Sequence, residues 1–268
     1  RNPDGSINVV PTEMKLRFKT VRKPAKTGLM LVGWGGNNGS TLTAGILANK
    51  HNITWRTRTG VHKPNYFGSI TQASTLRIGQ TKDLEEVNVP LNSVVPMVSP
   101  NDLVIGGWDC SAMNLGDAMR RAAVLDINLQ DAVYDMMKDQ KPLPAIFDIN
   151  FVAENQEDRA TNVIPGTKKD AVAVVRQNIR DFKAQHGLET VIVLWTANTE
   201  RWCLNTVGIH DTAANLLKAV ENSEAELSPS TCYAIAAVLE GCSFINGAPQ
   251  NTVVAGLVEL AEEKKVFE

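Results

Sequence analysis

The hydrophobic positions of the chain fall into short apolar runs separated by longer stretches with helical spacing. The runs at 28–33, 102–107, 190–195 and 243–246 are typical of buried parallel strands. Helices are predicted at 40–50, 114–138, 169–186, 211–220, 229 to about 241, and 253–265. This alternation of strand and helix predicts an α/β fold with a doubly wound parallel sheet.

Local signals mark where some of the predicted helices begin and end. Gly187 follows the 169–186 segment and is a common residue just past a helix C-terminus. Ser228 and Pro229 suit the N-cap and the first position of the helix that follows them. Pro142 and Pro144 interrupt the periodic pattern, so a loop is predicted from there to about residue 168.

Two parts of unequal length are predicted along the chain. Residues 1–27 carry scattered Pro and Gly, which predicts an extended arm with one strand near 14–18. Residues 28–268 are predicted to form one α/β domain, since the strand–helix alternation runs through to the end.

Composition excludes several classes of protein. Of 268 residues, 43% are hydrophobic and 21% charged, and the formal net charge of −2 gives no indication of a nucleic-acid partner. The sequence has neither a long apolar run of membrane-spanning length nor an apolar leader near residue 1, so no membrane association is predicted. Four unpaired cysteines favour a reduced, cytoplasmic location over a disulfide framework or a zinc site.

The chemistry is expected where the predicted strands end, because ligands of doubly wound sheets bind there. The first strand is followed by the turn Gly33-Trp-Gly-Gly-Asn-Asn-Gly39 and a helix. Glycines let the backbone approach a pyrophosphate, and the N-terminus of the helix favours an anion. The turn therefore predicts a dinucleotide site; a tight turn without a ligand is the alternative.

An acidic residue should follow such a turn about 20 residues on, to bind the ribose hydroxyls. The stretch 53–59 has no acid and instead carries Arg56 and Arg58, which would suit the 2′-phosphate of NADP. Asp109, at the end of the second strand, is the best substitute acid. Its alternative role is to cap the helix that follows, so these residues alone leave NAD and NADP both open.

Three further groups of residues have a structural interpretation and a functional alternative. Trp34, Trp108 and Trp195 fall at strand ends and are expected in the core, with a cofactor-pocket wall as the alternative. The lysine pairs 168–169 and 264–265 lie at helix termini and are expected to be solvated. A single nucleophilic cysteine is possible, although burial is the commoner fate.

Five stretches together resemble the eukaryotic myo-inositol-1-phosphate synthase family. They are 33–41 (Gly-Trp-Gly-Gly-Asn-Asn-Gly-Ser-Thr), 65–74 (Asn-Tyr-Phe-Gly-Ser-Ile-Thr-Gln-Ala-Ser), 106–109 (Gly-Gly-Trp-Asp), 194–201 (Leu-Trp-Thr-Ala-Asn-Thr-Glu-Arg) and 244–252 (Phe-Ile-Asn-Gly-Ala-Pro-Gln-Asn-Thr). The resemblance covers nearly the whole chain. It implies a Rossmann-type NAD-binding domain in a homotetrameric enzyme that isomerises D-glucose 6-phosphate to inositol phosphate by internal oxidation, aldol closure and reduction.

The resemblance also implies a cofactor site when the family's NAD contacts are carried over residue by residue. Asp109 matches the ribose-side acid and so favours NAD over NADP, while Ala145 and Ala248 stand where the family often has Ser. The predicted NAD site comprises Gly33, Gly35, Gly36, Asn37, Asn38, Gly39, Asp109, Ala145, Ile146, Gln156, Arg159, Thr196, Ala197, Asn198, Thr199, Gly247 and Ala248.

Length is the main departure from the family, whose members are about twice as long. The family's catalytic lysines, its tetramer contacts and elements that complete the cofactor domain lie in a region beyond Glu268, so an incomplete domain without catalytic or metal-binding residues is expected here. These 268 residues alone are expected to be inactive. The competing hypotheses are an ordinary NAD(P)-dependent dehydrogenase and a non-catalytic NAD-binding module.

Overall fold

A computed structural model describes residues 4–15, 17, 19 and 21–267. The strands are β1 (Thr27–Val32), β2 (Trp55–Thr57), β3 (Gly60–His62), β4 (Thr75–Gln80), β5 (Glu86–Pro90), β6 (Val104–Asp109), β7 (Leu143–Pro144), β8 (Thr190–Trp195) and β9 (Ser243–Asn246). The helices are α1 (Asn37–Lys50), α2 (Ile70–Ala73), α3 (Leu91–Val94), α4 (Leu115–Ala122), α5 (Ile127–Met137), α6 (Lys168–His186), α7 (Ala213–Asn222), α8 (Pro229–Leu239) and α9 (Ala255–Lys264).

A parallel sheet of five strands, in the order β7-β6-β1-β8-β9, forms the centre of the described residues. If the sheet strands are counted along the chain, this order is 3-2-1-4-5, which is that of a dinucleotide-binding sheet. Val32 at the end of β1 pairs with Trp108 on one side and Trp195 on the other. The strand ends are therefore level, and the predicted doubly wound α/β fold is confirmed.

Helices cover both faces of this sheet. On one face α6, α8 and α9 pack around Tyr233 and Trp108, which are fully buried. On the other face α1, α4 and α5 pack around Leu31, Leu115 and Met137. Helix α8 is apolar all round and is buried along almost its whole length, as expected of a helix inside a large core.

The helix ends agree with the local signals in most places. Ser228 caps α8 through its hydroxyl with Pro229 at the first position, and Gly187 ends α6 in the left-handed conformation, as predicted. Thr167 and Asp170 add a reciprocal capping box at the start of α6. Helix α1 begins at Asn37 rather than at 40, so Gly36 is its N-cap.

Some predicted elements are wrong or incomplete. The single helix predicted at 114–138 is two, because Ala123 takes the left-handed conformation and ends α4. The loop predicted up to residue 168 contains a 3₁₀ helix at Glu154–Arg159. Of the strand predicted near 14–18, residues 14, 15 and 17 have no regular structure, and Leu16 and Phe18 lie outside the described residues.

Two hairpins, β2–β3 and β4–β5, lie between α1 and β6. They were missed because their strands are short or exposed: every residue of β4 is exposed, so no alternating apolar face marks it. The hairpins separate the first and second strands of the parallel sheet along the chain. Among the described residues, no helix is both long and apolar enough to cross a membrane.

Candidate cofactor site

A cavity of about 450 Å³ lies at the carboxyl ends of β1, β6 and β8, where a doubly wound sheet binds its ligand. Twelve of the residues predicted from the sequence line it: Gly33, Gly36, Asn37, Asn38, Asp109, Ala145, Ile146, Gln156, Arg159, Thr196, Ala197 and Asn198. Gly35, Gly39, Thr199, Gly247 and Ala248 do not line it. The structure thus brings three of the four predicted strand ends together around one space.

The glycine turn after β1 has a conformation and a packing that require glycine. Gly33 has a positive φ of 86°, and a Cβ there would lie 2.6 Å from the Cα of Ala197. A Cβ on Gly39 would lie 2.4 Å from the carbonyl oxygen of Trp34. Gly39 is thus needed to pack α1 against the turn, although it does not line the cavity.

The N-terminus of α1 faces the cavity through Gly36, Asn37 and Asn38. The first N–H groups of a helix have no partner within the helix, and here no side chain caps them and no acid lies in the first turn. The Asn38 amide donates to the carbonyl of Thr196 at 3.4 Å, which joins this turn to the end of β8. Such a helix end attracts an anionic group, as the pyrophosphate of a dinucleotide requires.

Asp109 is the last residue of β6 and is only 4% exposed. A Cβ on Gly35 would lie 3.2 Å from the Asp109 carboxyl carbon, so Gly35 acts by letting the turn approach this acid. Burial raises the pKa of Asp109, while the N–H of Ser111 and the charges of Arg159 and Arg121 lower it. The helix-cap alternative is wrong, because Asn114 caps α4.

No acid follows the glycine turn by about 20 residues because two hairpins are inserted between the first and second strands of the parallel sheet. The second strand therefore comes later in the sequence than usual. The acid expected at the end of that strand is therefore Asp109 rather than a residue near 59. Arg56 and Arg58, the NADP alternative, lie on and beside β2 and do not line the cavity. The Arg56 carbonyl instead accepts a hydrogen bond from Asn128 of α5.

Residues 145–159 form the wall of the cavity beyond β7. The N–H of Ile146 donates to the Tyr233 hydroxyl at 3.0 Å, and Arg159 donates to the Gln156 side chain at 3.1 Å. The Nε of Arg159 is buried and has no hydrogen-bond partner among the residues that the structure describes. An unpaired cationic donor of this kind can bind the anionic pyrophosphate of a dinucleotide. The glycine turn, where a Cβ would clash, fits the same ligand.

The end of β8 forms the opposite wall. Thr196 donates through both its N–H and its hydroxyl to the carbonyl of Val32, at 2.9 Å each, which fixes the two strand ends together. Gly247 has a packing role, because a Cβ there would lie 2.5 Å from the Trp195 carbonyl oxygen. Ala248 donates its N–H to the side chain of Asn246.

The sequence analysis missed Glu200, which also lines the cavity. Glu200 is only 3% exposed. Its two carboxylate oxygens lie 3.1 and 3.3 Å from the backbone nitrogen of Ser230 at the start of α8. Burial raises its pKa to about 7, and hydrogen bonds from Ser230 and Ser228 offset part of that effect. A signal was present, since Glu200 directly follows the Thr-Ala-Asn-Thr turn. Other lining residues outside the predicted set are Val32, Cys110, Phe147, Asp148, Val152, Trp195 and Pro229.

Trp34, Trp108 and Trp195 are all buried as expected, and Trp195 also forms a wall of the cavity.

The cysteines do not have the lowered pKa of an activated nucleophile. Burial raises the pKa of Cys232 to about 12 and that of Cys242 to about 11. The pKa values of Cys110 and Cys203 are raised by burial as well.

Lys168 contradicts the expectation of solvated lysines. Its ammonium donates to the carbonyls of Glu224, Ala225 and Leu227 at 2.7–3.0 Å, and lies 3.5 Å from the Asp148 carboxylate. It ties the cavity wall to the loop before α8. Lys169, Lys264 and Lys265 are exposed, as predicted.

The sheet order, the glycine turn and the buried acid at the end of the second sheet strand together define an NAD-binding α/β protein of the Rossmann type. The sequence model of a protein family matches residues 27–268. This family is the NAD-binding domain family described as myo-inositol-1-phosphate synthase. The chain belongs to this family.

Relatives and solved structures agree with that assignment. The chain is 54% identical to inositol-3-phosphate synthase of Trypanosoma brucei brucei over 100% of its own length and 51% of the relative's. It is 51% identical to the Homo sapiens inositol-3-phosphate synthase 1 over 98% of this chain and 47% of that one. The Caenorhabditis elegans inositol-3-phosphate synthase structure matches with a TM-score of 0.90 at 50% identity, covering 92% of this chain and 49% of that one. The chain thus spans about half the length of these relatives.

Proposed function

We propose that the protein carrying this chain is an inositol-3-phosphate synthase that isomerises D-glucose 6-phosphate to 1D-myo-inositol 3-phosphate. The observation that carries this proposal is the convergence of the glycine turn, Asp109 and the Thr196 turn on one cavity. The similar proteins named inositol-3-phosphate synthase support the choice of reaction. In this proposal residues 1–27 form an arm and residues 28–268 the NAD domain.

Each part of the cavity has a defined task in this proposal. The N-terminus of α1 and the glycine turn hold the pyrophosphate, and Asp109 accepts hydrogen bonds from the ribose. Gln156 and Arg159 close the adenosine side, and the 196–199 turn closes the nicotinamide side. NAD bound there would supply the hydride acceptor for the oxidation and the hydride donor for the later reduction, with no net oxidation.

The acid–base and phosphate-binding groups are expected in the family's region beyond Glu268. We therefore infer that residues 1–268 alone bind NAD without converting glucose 6-phosphate. The intact protein is proposed to be a cytoplasmic homotetramer in inositol and phospholipid biosynthesis, with no nucleic-acid or membrane partner.

A single assay with the intact protein tests the reaction. Glucose 6-phosphate is supplied with NAD at the enzyme concentration, and inositol phosphate and NADH are both measured over time. Many product molecules per NAD, without accumulation of NADH, support the synthase. NADH that accumulates in proportion to the substrate consumed contradicts it and favours an ordinary dehydrogenase.

A further inference from the structure

Glu200 stands at a junction of three segments beside the cavity. Its carboxylate accepts the N–H of Ser230 in α8, and its own N–H donates to the Gln250 side chain at 3.3 Å. Residue 200 also directly follows the 196–199 turn, which comes after β8. A buried carboxyl group thus forms part of the cavity wall on the β8 side.

That side of the cavity belongs to the second half of the dinucleotide site. In a sheet of order 3-2-1-4-5, the dinucleotide lies across the first strand, with its two halves on opposite sides. Asp109 on β6 occupies the side of the adenosine ribose, so the nicotinamide half falls on the side of β8 and β9. Glu200 therefore lies in the half of the cavity that is proposed to hold the redox-active ring.

We propose that Glu200 is an electrostatic selector, whose ionised carboxylate favours oxidised over reduced nicotinamide dinucleotide in this cavity. The inference rests on the proposed position of NAD. The oxidised ring carries one positive charge that the reduced ring lacks, so a nearby negative charge stabilises the oxidised form.

The titratable groups that interact electrostatically with Glu200 are Asp148, Cys203 and Cys232. Asp148 raises the pKa of Glu200 further, and Asp148 is itself 3.5 Å from the ammonium of Lys168. The thiols of Cys203 and Cys232 are kept neutral near pH 7 because burial raises their pKa values. Compared with these two thiols, Glu200 is the group whose pKa lies near 7.

The direction of the expected pH dependence follows from the raised pKa. Below about pH 7 Glu200 is mostly protonated and has no charge with which to distinguish the two cofactor forms. Above that pH it is ionised, and the reduced form should bind more weakly relative to the oxidised form. The ratio of the NADH dissociation constant to that of NAD should therefore rise as the pH increases from 6 to 8, by about fivefold.

Binding of both forms to the cofactor-free intact protein, by titration calorimetry at pH 6, 7 and 8, tests this. The wild-type ratio should rise with pH, and Glu200→Gln should hold the ratio flat near its low-pH value. Gln keeps an oxygen that can accept the N–H of Ser230, so the wall is expected to stay intact. Circular dichroism of the variant checks that it is folded.

Glu226→Gln is the matched control. Glu226 pairs with Arg201, next to Glu200 in sequence, and does not line the cavity. His210, which contacts the Glu226 carbonyl, is unchanged in both variants. The control should keep the wild-type rise. A ratio that is flat in wild type, or that still rises in Glu200→Gln, overturns the inference, whereas failure of wild type to bind either form overturns the proposed site as well.

Discussion

The two ends of the cavity each have a buried carboxyl group, but in contrasting surroundings. Asp109, at the end of β6, interacts with the charges of Arg159 and Arg121, which favour its ionised form. Glu200, beyond β8, has hydroxyl and N–H neighbours and the negative charge of Asp148, and its pKa is raised to about 7. Burial raises the pKa of both acids, and the neighbouring charges differ: two arginines oppose the rise at Asp109, whereas Asp148 adds to it at Glu200.

The largest expected effect comes from the turn between these two ends. Gly33→Ala should destabilise the protein by about 3 kcal/mol and abolish measurable NAD binding, because its positive φ and the backbone of Ala197 both exclude a Cβ. Urea unfolding and calorimetry measure the two losses.

Gly45→Ala in α1 is the control, since a Cβ there meets nothing within 4 Å. It should be neutral or stabilising by up to about 1 kcal/mol. Equal losses in the two variants would contradict a specific role for the turn.

At the β6 end, Asp109→Asn should weaken NAD binding by about 10- to 100-fold, because the ribose would lose a charged acceptor. The same change should leave the pH dependence of the NADH-to-NAD ratio in place, since Glu200 is untouched. Asp135→Asn, at an exposed pair with Lys138, should not alter binding. If Asp109→Asn binds NAD as tightly as wild type, the acid does not hold the ribose.

At the β8 end, protein stability should depend on the charge of Glu200. Its folded pKa of about 7 lies above the unfolded value of about 4.5, so the folded state binds more protons between these values. The free energy of unfolding should therefore fall as the pH rises from 4.5 to 7, by about 3 kcal/mol. Glu200→Gln should remove this fall, which urea unfolding at pH 5 and 8 measures; an equal fall in both proteins would contradict it.

Glu226 gives the smallest effect, with the opposite sign. Arg201 lowers the pKa of Glu226 to about 2, so its contribution to stability is present above about pH 4.5 and is lost as the pH falls toward 2. Because the pair is partly exposed to solvent, Glu226→Gln should cost less than about 1 kcal/mol at pH 7. A cost that grows as the pH falls would be inconsistent with this ion pair.

Features with a local signal could be predicted from the sequence. Strands β8 and β9 were predicted with their observed bounds, because each is a short run bounded by turn residues. The Ser228 cap of α8 and the left-handed Gly187 at the end of α6 were also predicted, because each depends on residues within about one helical turn. The break between α4 and α5 was missed, because alanine at 123 is a strong helix former and its residue type gives no signal for the left-handed conformation that it takes.

The candidate site divides along the same line. Its glycine turn is a local motif and was identified from residue types and their spacing. Which of the predicted residues line the cavity and which only pack beside it could not be identified from the sequence. Gly35, Gly39 and Gly247 are packing residues, because each lies close to atoms across the turn or distant in the chain. Thr199 and Ala248 likewise do not line the cavity.

By itself the sequence determined the class of fold, the glycine turn and the family resemblance, since apolar runs, capping residues and motifs are properties of short segments. Only the tertiary structure decided that Asp109 lines the cavity beside the glycine turn, that Arg56 and Arg58 lie away from it, and that Glu200 is buried in its wall. The physical reason is that parallel strands bring distant segments to one edge of a sheet. A side chain's burial and charge depend on those neighbours, which no short stretch of sequence specifies.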